Sequence, residues 1–370
     1  MSCVYIPPYR AGGTVEAPCS KSDMHRLLII KKLLGLDTQI VYSGSSEDVS
    51  ATRECLAALD SERPQLYARE SGSTLRFLLP VACALRENVH FDGAPGLRRR
   101  PIGDITECLR QNGVELSGDS LPLETRGRLR PGEYRISAAV SSQFASGLYM
   151  ACLVTGGSVC LEGEVRSRPY IDLTLKRIED MRKRPRQIEC EGDWSNAANF
   201  LCLGALSEQG VTVTGLNLQS PQGDRRIPEL LRSIGANVEG TCVRRGDLRA
   251  FSVDMGDIPD LIAPLAMVAA HCRGESVFYN AARLKYKESN RLESVAQLIN
   301  GLGGRAYYTE DELRVQGTGL TGGRVSSYGD HRIAMAAALC NKGVWIEGAE
   351  AVAKSCPDYF ERLEKICVSV

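Results

Sequence analysis

The chain has 370 residues, 43% of them hydrophobic, and this length predicts two folded domains of an ordinary soluble protein. Its 45 basic and 45 acidic side chains balance, so no overall charge directs it to nucleic acid or to an anionic membrane. Any anion that it binds must therefore be held by local clusters of cations.

The N-terminal segment MSCVYIPPYRAGG lacks the apolar core of a secretion signal, and no apolar run reaches the roughly 18 residues of a membrane span. Fourteen cysteines are scattered along the chain without a C-x-x-C pair, which disfavours a zinc site or a redox motif. We expect a cytoplasmic protein whose thiols are reduced and buried.

One kind of segment recurs along the chain: a polar cluster of Ser, Asp, Asn or Gly followed at once by an apolar stretch that predicts a helix. Its six occurrences begin at Ser20, Ser71, Ser141, Asp193, Asp257 and Gly329. Six copies of one α/β unit divide most simply into two domains of three.

A second, amphipathic helix type alternates with the first, with a polar N-terminal residue and a glycine at its end. Its examples are residues 104–113, 224–235 and 290–301, and partial copies begin at Glu47 and Pro357.

The polar helix starts also carry cations. Lys21 and Arg26 flank the first start, Arg76 lies in the second, and Arg332 follows the sixth. The first turn of a helix exposes unpaired N–H groups and a partial positive charge, which suit phosphate or carboxylate. The pattern therefore indicates a protein that binds small anions at helix N-termini.

Eleven short motifs carry a family resemblance. In chain order they are SKSDMHR (20–26), SGSTLR (71–76), RRPIGD (99–104), SSQFASGLYM (141–150), SRPYIDLTL (167–175), EGDWSNAANF (191–200), QGD (222–224), DMGDIPD (254–260), KESNRLE (287–293), GDHRIAM (329–335) and KSCPDYF (354–360). With these motifs in this order, the sequence resembles the 5-enolpyruvylshikimate-3-phosphate synthase family over nearly its whole length.

The resemblance implies an α/β fold of two similar domains, each of three βαβαββ units in an inside-out barrel-like arrangement, with the active site in the interdomain cleft. The first domain would comprise residues 1–13 and 191–370, and the second, inserted domain residues 14–190. The implied protein is a cytoplasmic monomer that needs no cofactor or metal and binds neither nucleic acid nor membrane.

The implied reaction transfers the enolpyruvyl group of phosphoenolpyruvate to the 5-hydroxyl of shikimate 3-phosphate and releases phosphate, in the shikimate pathway to chorismate and aromatic amino acids. The alternatives are the related transferase that acts on UDP-N-acetylglucosamine and a non-catalytic anion-binding relative. The loop 96–101 has no cysteine, which disfavours the first alternative. Retention of Asp260 and Glu288 disfavours the second, because simple phosphate binding needs no paired carboxylates.

Site residues follow from the resemblance, position by position. The proton-transfer residues would be Asp260, Glu288, Lys21 and His331. Shikimate 3-phosphate would contact Lys21, Ser22, Arg26, Ser141, Ser142, Gln143, Ser167, Tyr170, Asp260 and Lys287. Phosphoenolpyruvate would contact Lys21, Gly72, Arg100, Gln143, Arg291, Arg332 and Lys354.

Three positions depart from the family pattern. Glu70 stands where an Asn usually lies beside the phosphoenolpyruvate-binding glycine, Arg283 stands where another Asn usually contacts shikimate phosphate, and Cys19 replaces a Gly. A carboxylate at position 70 is expected to repel phosphoenolpyruvate. The segment 60–69 is also short, which predicts the loss of at least one strand from one repeat.

Overall fold

The computed structural model describes residues 2–137 and 141–369. The chain forms two compact units, the first made of Met1–Pro18 with Gly192–Val370 and the second of Cys19–Glu191. Each unit has its own apolar core. None of the helices in the described ranges is long and apolar enough to cross a membrane.

The first unit begins with three short strands, β1 (Cys3–Ile6), β2 (Tyr9–Ala11) and β3 (Gly13–Glu16). Strand β3 pairs in parallel with residues 211–214 of the same unit. The sequence placed the domain boundary after residue 13. This pairing keeps residues 14–16 in the first unit, so the boundary lies further along the chain.

The second unit follows without interruption. Its elements are α1 (Lys21–Leu33), β4 (Gln39–Val41), α2 (Glu47–Ala58), β5 (Gln65–Tyr67), α3 (Gly72–Leu85), β6 (Asn88–Asp92), α4 (Pro95–Arg98), α5 (Gly103–Gln111), β7 (Glu115–Leu116), β8 (Leu123–Arg126), β9 (Glu133–Ser137), α6 (Ser142–Thr155), β10 (Ser158–Glu162), α7 (Arg168–Arg182) and β11 (Gln187–Glu189).

The chain then completes the first unit. Its further elements are α8 (Trp194–Ala205), β12 (Val211–Thr214), α9 (Ile227–Ser233), β13 (Asn237–Glu239), β14 (Cys242–Arg244), β15 (Ser252–Asp254), α10 (Ile262–Ala269), β16 (Glu275–Tyr279), α11 (Arg291–Gly301), β17 (Arg305–Tyr308), β18 (Leu313–Gln316), β19 (Gly323–Ser326), α12 (His331–Ala337), β20 (Val344–Glu347), α13 (Tyr359–Glu364) and β21 (Cys367–Ser369). Among the described residues of this unit, 3-10 helices intervene at Gly223–Arg226, Pro259–Leu261, Ala282–Tyr286 and Ala349–Lys354.

Parallel strand pairs reveal the repeat. The second unit contains the pairs β4/β11, β5/β6 and β9/β10, and the first unit contains β3/β12, β15/β16 and β19/β20. Three of the sheets add two antiparallel strands, in the orders β5-β6-β8-β7, β3-β12-β14-β13 and β15-β16-β18-β17. The expected α/β fold is thus confirmed, and the complete four-stranded form of the unit occurs in these three sheets.

Local capping explains where the apolar helices begin. The side chains of Ser20, Ser71, Asp193 and Asp330 each accept a hydrogen bond from a first-turn backbone N–H, and Ser141 does the same for α6. Such caps satisfy donors that have no partner inside the helix. Five of the six predicted starts are therefore capped as the sequence indicates.

The amphipathic helices differ more from prediction. Asp104 lies inside the first turn of α5 and Asp224 lies in a 3-10 helix, so neither is an N-cap residue. Gly113 and Gly235 adopt the left-handed conformation after their helices, as expected, but in the third case Gly303 does so and Gly301 still belongs to α11. The shift is two residues, which is within the range over which helix ends vary.

Candidate active site

The first unit gathers its charged motifs around one buried guanidinium. Arg291, at the start of α11, donates to Asp260 Oδ1 at 2.5 Å, to Glu288 Oε2 at 2.7 Å and to Asp330 Oδ2 at 2.8 Å. Only 1% of Arg291 is exposed. One cation thus fixes three carboxylates that belong to three separate segments of the sequence.

Two further cations approach Asp260. Lys287 Nζ lies 3.4 Å from Oδ1 and Arg332 Nη2 lies 3.4 Å from Oδ2. Burial alone would raise the pKa of Asp260, but Lys287, Arg332 and Arg291 outweigh it and hold the pKa well below its usual range. Asp260 is therefore ionised at neutral pH.

Lys287 has a shifted pKa of its own. Desolvation lowers the pKa of this ammonium group to about 8. The nearby charges of Arg291 and Arg283 also lower it, whereas the Asp260 carboxylate raises it. Lys287 therefore changes its charge just above neutral pH, unlike an ordinary surface lysine.

His331 is the first residue of α12 and is almost fully buried. Its Nδ1 lies 3.3 Å from Glu288 Oε2 and 3.9 Å from Asp330 Oδ1. We name the residues Asp260, Lys287, Glu288, Arg291, Asp330, His331 and Arg332 the Arg291 cluster. It brings three of the four predicted proton-transfer residues together.

The Arg291 cluster includes one group with metal-ligand geometry. Ligand atoms of Glu288, Asp330 and His331 lie within 4.8 Å of one another. The sequence did not reveal this group, because residue 288 is distant from 330–331 along the chain. Both carboxylates are already paired with Arg291, so a guanidinium supplies the positive charge there.

Lys354 ends the 3-10 helix Ala349–Lys354, and its Nζ donates to the carbonyl of Gly329 at 2.8 Å. Gly329 precedes Asp330, the N-cap residue of α12. This contact connects the cation to the loop that begins α12.

The second unit places Lys21 at the start of α1, with Ser22 next to it. Lys21 Nζ forms an ion pair of 2.9 Å with Asp48 Oδ2, and both side chains are about nine-tenths buried, with 11% and 8% exposed. Asp48 was not among the predicted site residues. The only local signal was its place in the first turn of α2.

A buried polar chain runs beside this pair. His25 Nδ1 contacts Thr52 Oγ1 at 2.7 Å, Thr52 Oγ1 contacts Thr74 Oγ1 at 2.7 Å, and Thr74 donates to Ser71 Oγ at 2.7 Å. Complete burial lowers the pKa of His25 to about 3. The chain is therefore neutral and ends at Ser71, the N-cap residue of α3.

The start of α3 meets two arginines and a glutamine. A Cβ added to Gly72 would lie 2.6 Å from Arg100 Nη1 and 3.3 Å from Arg76 Nη1, so only glycine lets the guanidinium groups approach this backbone. Gln143 accepts from Arg76 Nη1 at 3.0 Å and donates to Ser73 Oγ at 2.7 Å. We name Gly72, Ser73, Arg76, Arg100 and Gln143 the α3–α6 cluster.

Helices α3 and α6 also pack closely along their length. A Cβ added to Gly147 would lie 2.7 Å from the carbonyl oxygen of Arg76 and 2.8 Å from Pro80 Cγ. Pro80 lies inside α3 and has no N–H to donate to that carbonyl. The absent side chain at position 147 is therefore what allows this crossing.

The remaining predicted residues lie at two other helix starts. Ser141 caps α6 and Ser142 is its first residue, next to residues 138–140, which lie outside the described ranges. Ser167 is the residue before α7, with a positive φ of 53°, and Tyr170 lies in the first turn of α7.

Arg26 makes several hydrogen bonds within the second unit. It is 1% exposed and donates to Ser22 O at 2.5 Å, Tyr170 O at 2.7 Å and Thr174 Oγ1 at 2.7 Å. Burial lowers the pKa of this arginine to about 10. In this arrangement Arg26 connects α1 with α7, and its role as a fork for a substrate carboxylate stays a prediction.

Known proteins resemble the chain over its whole length. A family model described as EPSP synthase (3-phosphoshikimate 1-carboxyvinyltransferase) matches residues 60–363. The protein named 3-phosphoshikimate 1-carboxyvinyltransferase from Clostridium kluyveri is 34% identical, over 98% of this chain and 96% of that protein. The protein of the same name from Aeropyrum pernix is 35% identical, over 98% and 95%. The chain belongs to the EPSP synthase family.

Solved structures show the same fold as this EPSP synthase family member. An EPSP synthase from Acinetobacter baumannii matches with a TM-score of 0.74 and 21% identity, covering 99% of this chain and 98% of that one. The enolpyruvyl transferase NikO from Streptomyces tendae matches with a TM-score of 0.71 and 15% identity, covering 98% and 96%. The two-domain enolpyruvyl transferase fold expected from the sequence is thus confirmed.

Two of the departures from the EPSP synthase pattern have structural explanations. Glu70 Oε1 accepts the backbone N–H of Gly96 at 3.2 Å, so this carboxylate binds the first turn of α4, which precedes Arg100. Arg283 donates to the carbonyl of Gly256. Neither contact was visible in the sequence, because each joins residues that are distant along the chain.

Proposed function

We propose that this chain transfers the enolpyruvyl group of phosphoenolpyruvate to the 5-hydroxyl of shikimate 3-phosphate, giving 5-enolpyruvylshikimate 3-phosphate and phosphate. The observation that carries the proposal is the Arg291 cluster, in which Asp260 and Glu288 are fixed among cations. Family membership and the names of the relatives support the same reaction. The relatives just compared favour it over transfer to UDP-N-acetylglucosamine.

The reaction adds a proton to the methylene carbon of phosphoenolpyruvate while the acceptor hydroxyl attacks the adjacent carbon and loses its proton. The tetrahedral adduct then loses a proton from the new methyl group and phosphate from the adjacent carbon, which forms the enol ether. Each stage needs groups that hold and release protons near fixed positive charge.

We assign these proton transfers to Asp260 and Glu288, assisted by Lys21 and His331. Asp260 is held ionised by its three cations, which keeps it in the form that can accept a proton, although the same cations lower its basicity. Glu288 lies between Arg291 and His331, so an imidazole can exchange protons with it.

The remaining assignments concern binding. In the first unit we propose that Lys287 binds shikimate 3-phosphate and that Arg291, Arg332 and Lys354 bind phosphoenolpyruvate, because arginine and lysine match phosphate and carboxylate oxygens. In the second unit we propose Ser22, Ser141, Ser142, Ser167 and Tyr170 for shikimate 3-phosphate, and Gly72, Arg100 and Gln143 for phosphoenolpyruvate.

The test is phosphate release by the purified protein with phosphoenolpyruvate plus shikimate 3-phosphate, with UDP-N-acetylglucosamine as a parallel acceptor. We expect release only with shikimate 3-phosphate. Glu288→Gln should lower kcat by about 10²- to 10⁴-fold, as loss of a general acid or base does. Glu229→Gln, which changes an exposed carboxylate on α9, is the matched control.

If neither acceptor supports phosphate release, the proposal is contradicted. If only UDP-N-acetylglucosamine supports it, the alternative reaction replaces the proposal. We further propose that the protein acts as a cytoplasmic monomer on small-molecule substrates. Light scattering after size-exclusion chromatography should give the mass of one chain, 40.3 kDa; a value near twice that mass would contradict this part.

A further inference from the structure

Two motifs of the sequence have no role in the assignments above, and the structure packs them together. They are the first turn of α8, DWSN (193–196), and the segment QGD (222–224). Gln222 Oε1 accepts the backbone N–H of Trp194 at 3.2 Å, and Ser195 Oγ donates to Asp224 Oδ2 at 2.5 Å. The first turn of α8 is therefore held by side chains as well as by its own helix.

The fourth residue of this turn points at the Arg291 cluster. Asn196 is fully buried, its backbone N–H donates to Asp193 Oδ1 at 2.7 Å, and its side-chain Oδ1 accepts from Arg332 Nη1 at 3.1 Å. The amide nitrogen donates to Ser355 Oγ at 2.9 Å. Asn196 thus has one fixed orientation, with its oxygen toward the guanidinium.

The choice of an amide has an electrostatic consequence for Arg332. The guanidinium of Arg332 also lies 3.4 Å from Asp260, which is a longer distance than its contact with Asn196. A carboxylate in place of Asn196 would add a second close negative charge to a guanidinium that already faces Asp260, whereas a neutral amide fixes its direction without adding charge. The residue that orients Arg332 most closely is therefore uncharged.

We propose that Asn196, held by Ser355 and by the first turn of α8, is a positioning residue that aims Arg332 at the anionic group of phosphoenolpyruvate. This inference rests on the proposed function, because it concerns a cation assigned to phosphoenolpyruvate. Asn196 itself touches no reacting atom. Its contribution is to preorganise a charged donor, which would otherwise have to be ordered when the substrate binds.

The test is a comparison of Asn196→Ala with Asn199→Ala. Asn199 lies one helical turn further along α8 and is equally buried. Its amide nitrogen donates to the backbone carbonyl of Asn196 at 3.3 Å, and its side chain does not contact Arg332. Both variants remove a buried amide from the same helix. A purely structural effect should therefore appear in both variants.

For Asn196→Ala we expect KM for phosphoenolpyruvate to rise about tenfold, the usual effect of losing a hydrogen bond to a charged group. KM for shikimate 3-phosphate should stay within about twofold, and Asn199→Ala should change neither constant by more than about twofold. Equal rises for both substrates, or equal rises in both variants, would overturn the inference.

A second variant keeps the inference testable if Asn196→Ala does not fold. Ser355→Ala removes the hydroxyl that orients the amide and should raise KM for phosphoenolpyruvate about threefold without changing KM for shikimate 3-phosphate. No change in Ser355→Ala would then overturn the inference. An inactive wild-type protein would instead contradict the proposed function, so the two failures are distinguishable.

Discussion

The Arg291 cluster and the α3–α6 cluster both collect arginines at helix starts, but they balance charge differently. In the Arg291 cluster the central guanidinium faces three carboxylates. In the α3–α6 cluster Arg76 donates to the neutral amide oxygen of Gln143, and the amide nitrogen of Gln143 donates to the Ser73 hydroxyl. A cluster rich in carboxylates can exchange protons, whereas one rich in hydroxyl, amide and N–H groups is suited to bind an anion.

The largest expected effect comes from removing the central cation of the Arg291 cluster. Arg291→Met would leave Asp260, Glu288 and Asp330 close together without their shared partner. We expect a loss of about 3–5 kcal/mol in the free energy of unfolding, because breaking a buried ion pair leaves uncompensated charge. Urea unfolding monitored by circular dichroism measures this loss.

The control is Arg168→Met, which breaks an ion pair with Asp172 in which both side chains are about half exposed. Such a pair contributes about 0–1 kcal/mol. Equal losses in the two variants would mean that the Arg291 cluster is not held together by its central charge.

The next effect concerns pH and Lys287. Its pKa of about 8 means that the side chain is charged below that pH and loses its proton as pH rises through it. Binding of shikimate 3-phosphate should therefore weaken above pH 8, with KM rising up to about tenfold per pH unit. Steady-state kinetics between pH 7 and pH 9.5 measure this rise.

Lys287→Arg sharpens that measurement, because arginine stays charged throughout this range. The variant should show a flatter dependence of KM on pH. If KM for shikimate 3-phosphate rises above pH 8 as steeply in Lys287→Arg as in wild type, a group other than Lys287 is responsible for the pH dependence.

A smaller effect is expected from His25 in the neutral chain beside α3. Its pKa is about 3 in the folded state and about 6.5 when unfolded. Between these values the unfolded chain binds the extra proton, so stability falls as pH falls below 6.5. For His25→Asn, urea midpoints at pH 7 and pH 5 should differ less than for wild type.

His90→Asn is the matched control for this comparison, because His90 is partly exposed on strand β6, with 39% of its side chain accessible. It should leave the difference between pH 7 and pH 5 nearly as in wild type. An equal change in both variants would show that burial of His25 is not the cause.

The smallest effect is expected at Glu70. Glu70→Gln keeps an oxygen that can accept from Gly96 N–H and removes only the charge. Because the carboxylate is directed at the first turn of α4, KM for phosphoenolpyruvate should change by less than about threefold. A tenfold fall in KM would show instead that the Glu70 carboxylate repels phosphoenolpyruvate, as expected from the sequence.

The sequence predicted best what depends on neighbouring residues. Ser20, Ser71, Asp193 and Asp330 cap their helices as expected, because a cap is formed within one turn. It failed for contacts between distant segments, such as Lys21 with Asp48. It also did not show that Arg26 is buried, since a charged residue on an apolar helix has no local sign of its partners.

The crossing at Gly147 makes the α3–α6 cluster sensitive to a residue that belongs to no assigned site. Any larger side chain at position 147 must push α6 away from the Arg76 carbonyl or from Pro80. That displacement would move Gln143 relative to Ser73 and Arg76. A substitution at position 147 should therefore disturb anion recognition by the α3–α6 cluster from a distance, and compensating changes should lie along α3.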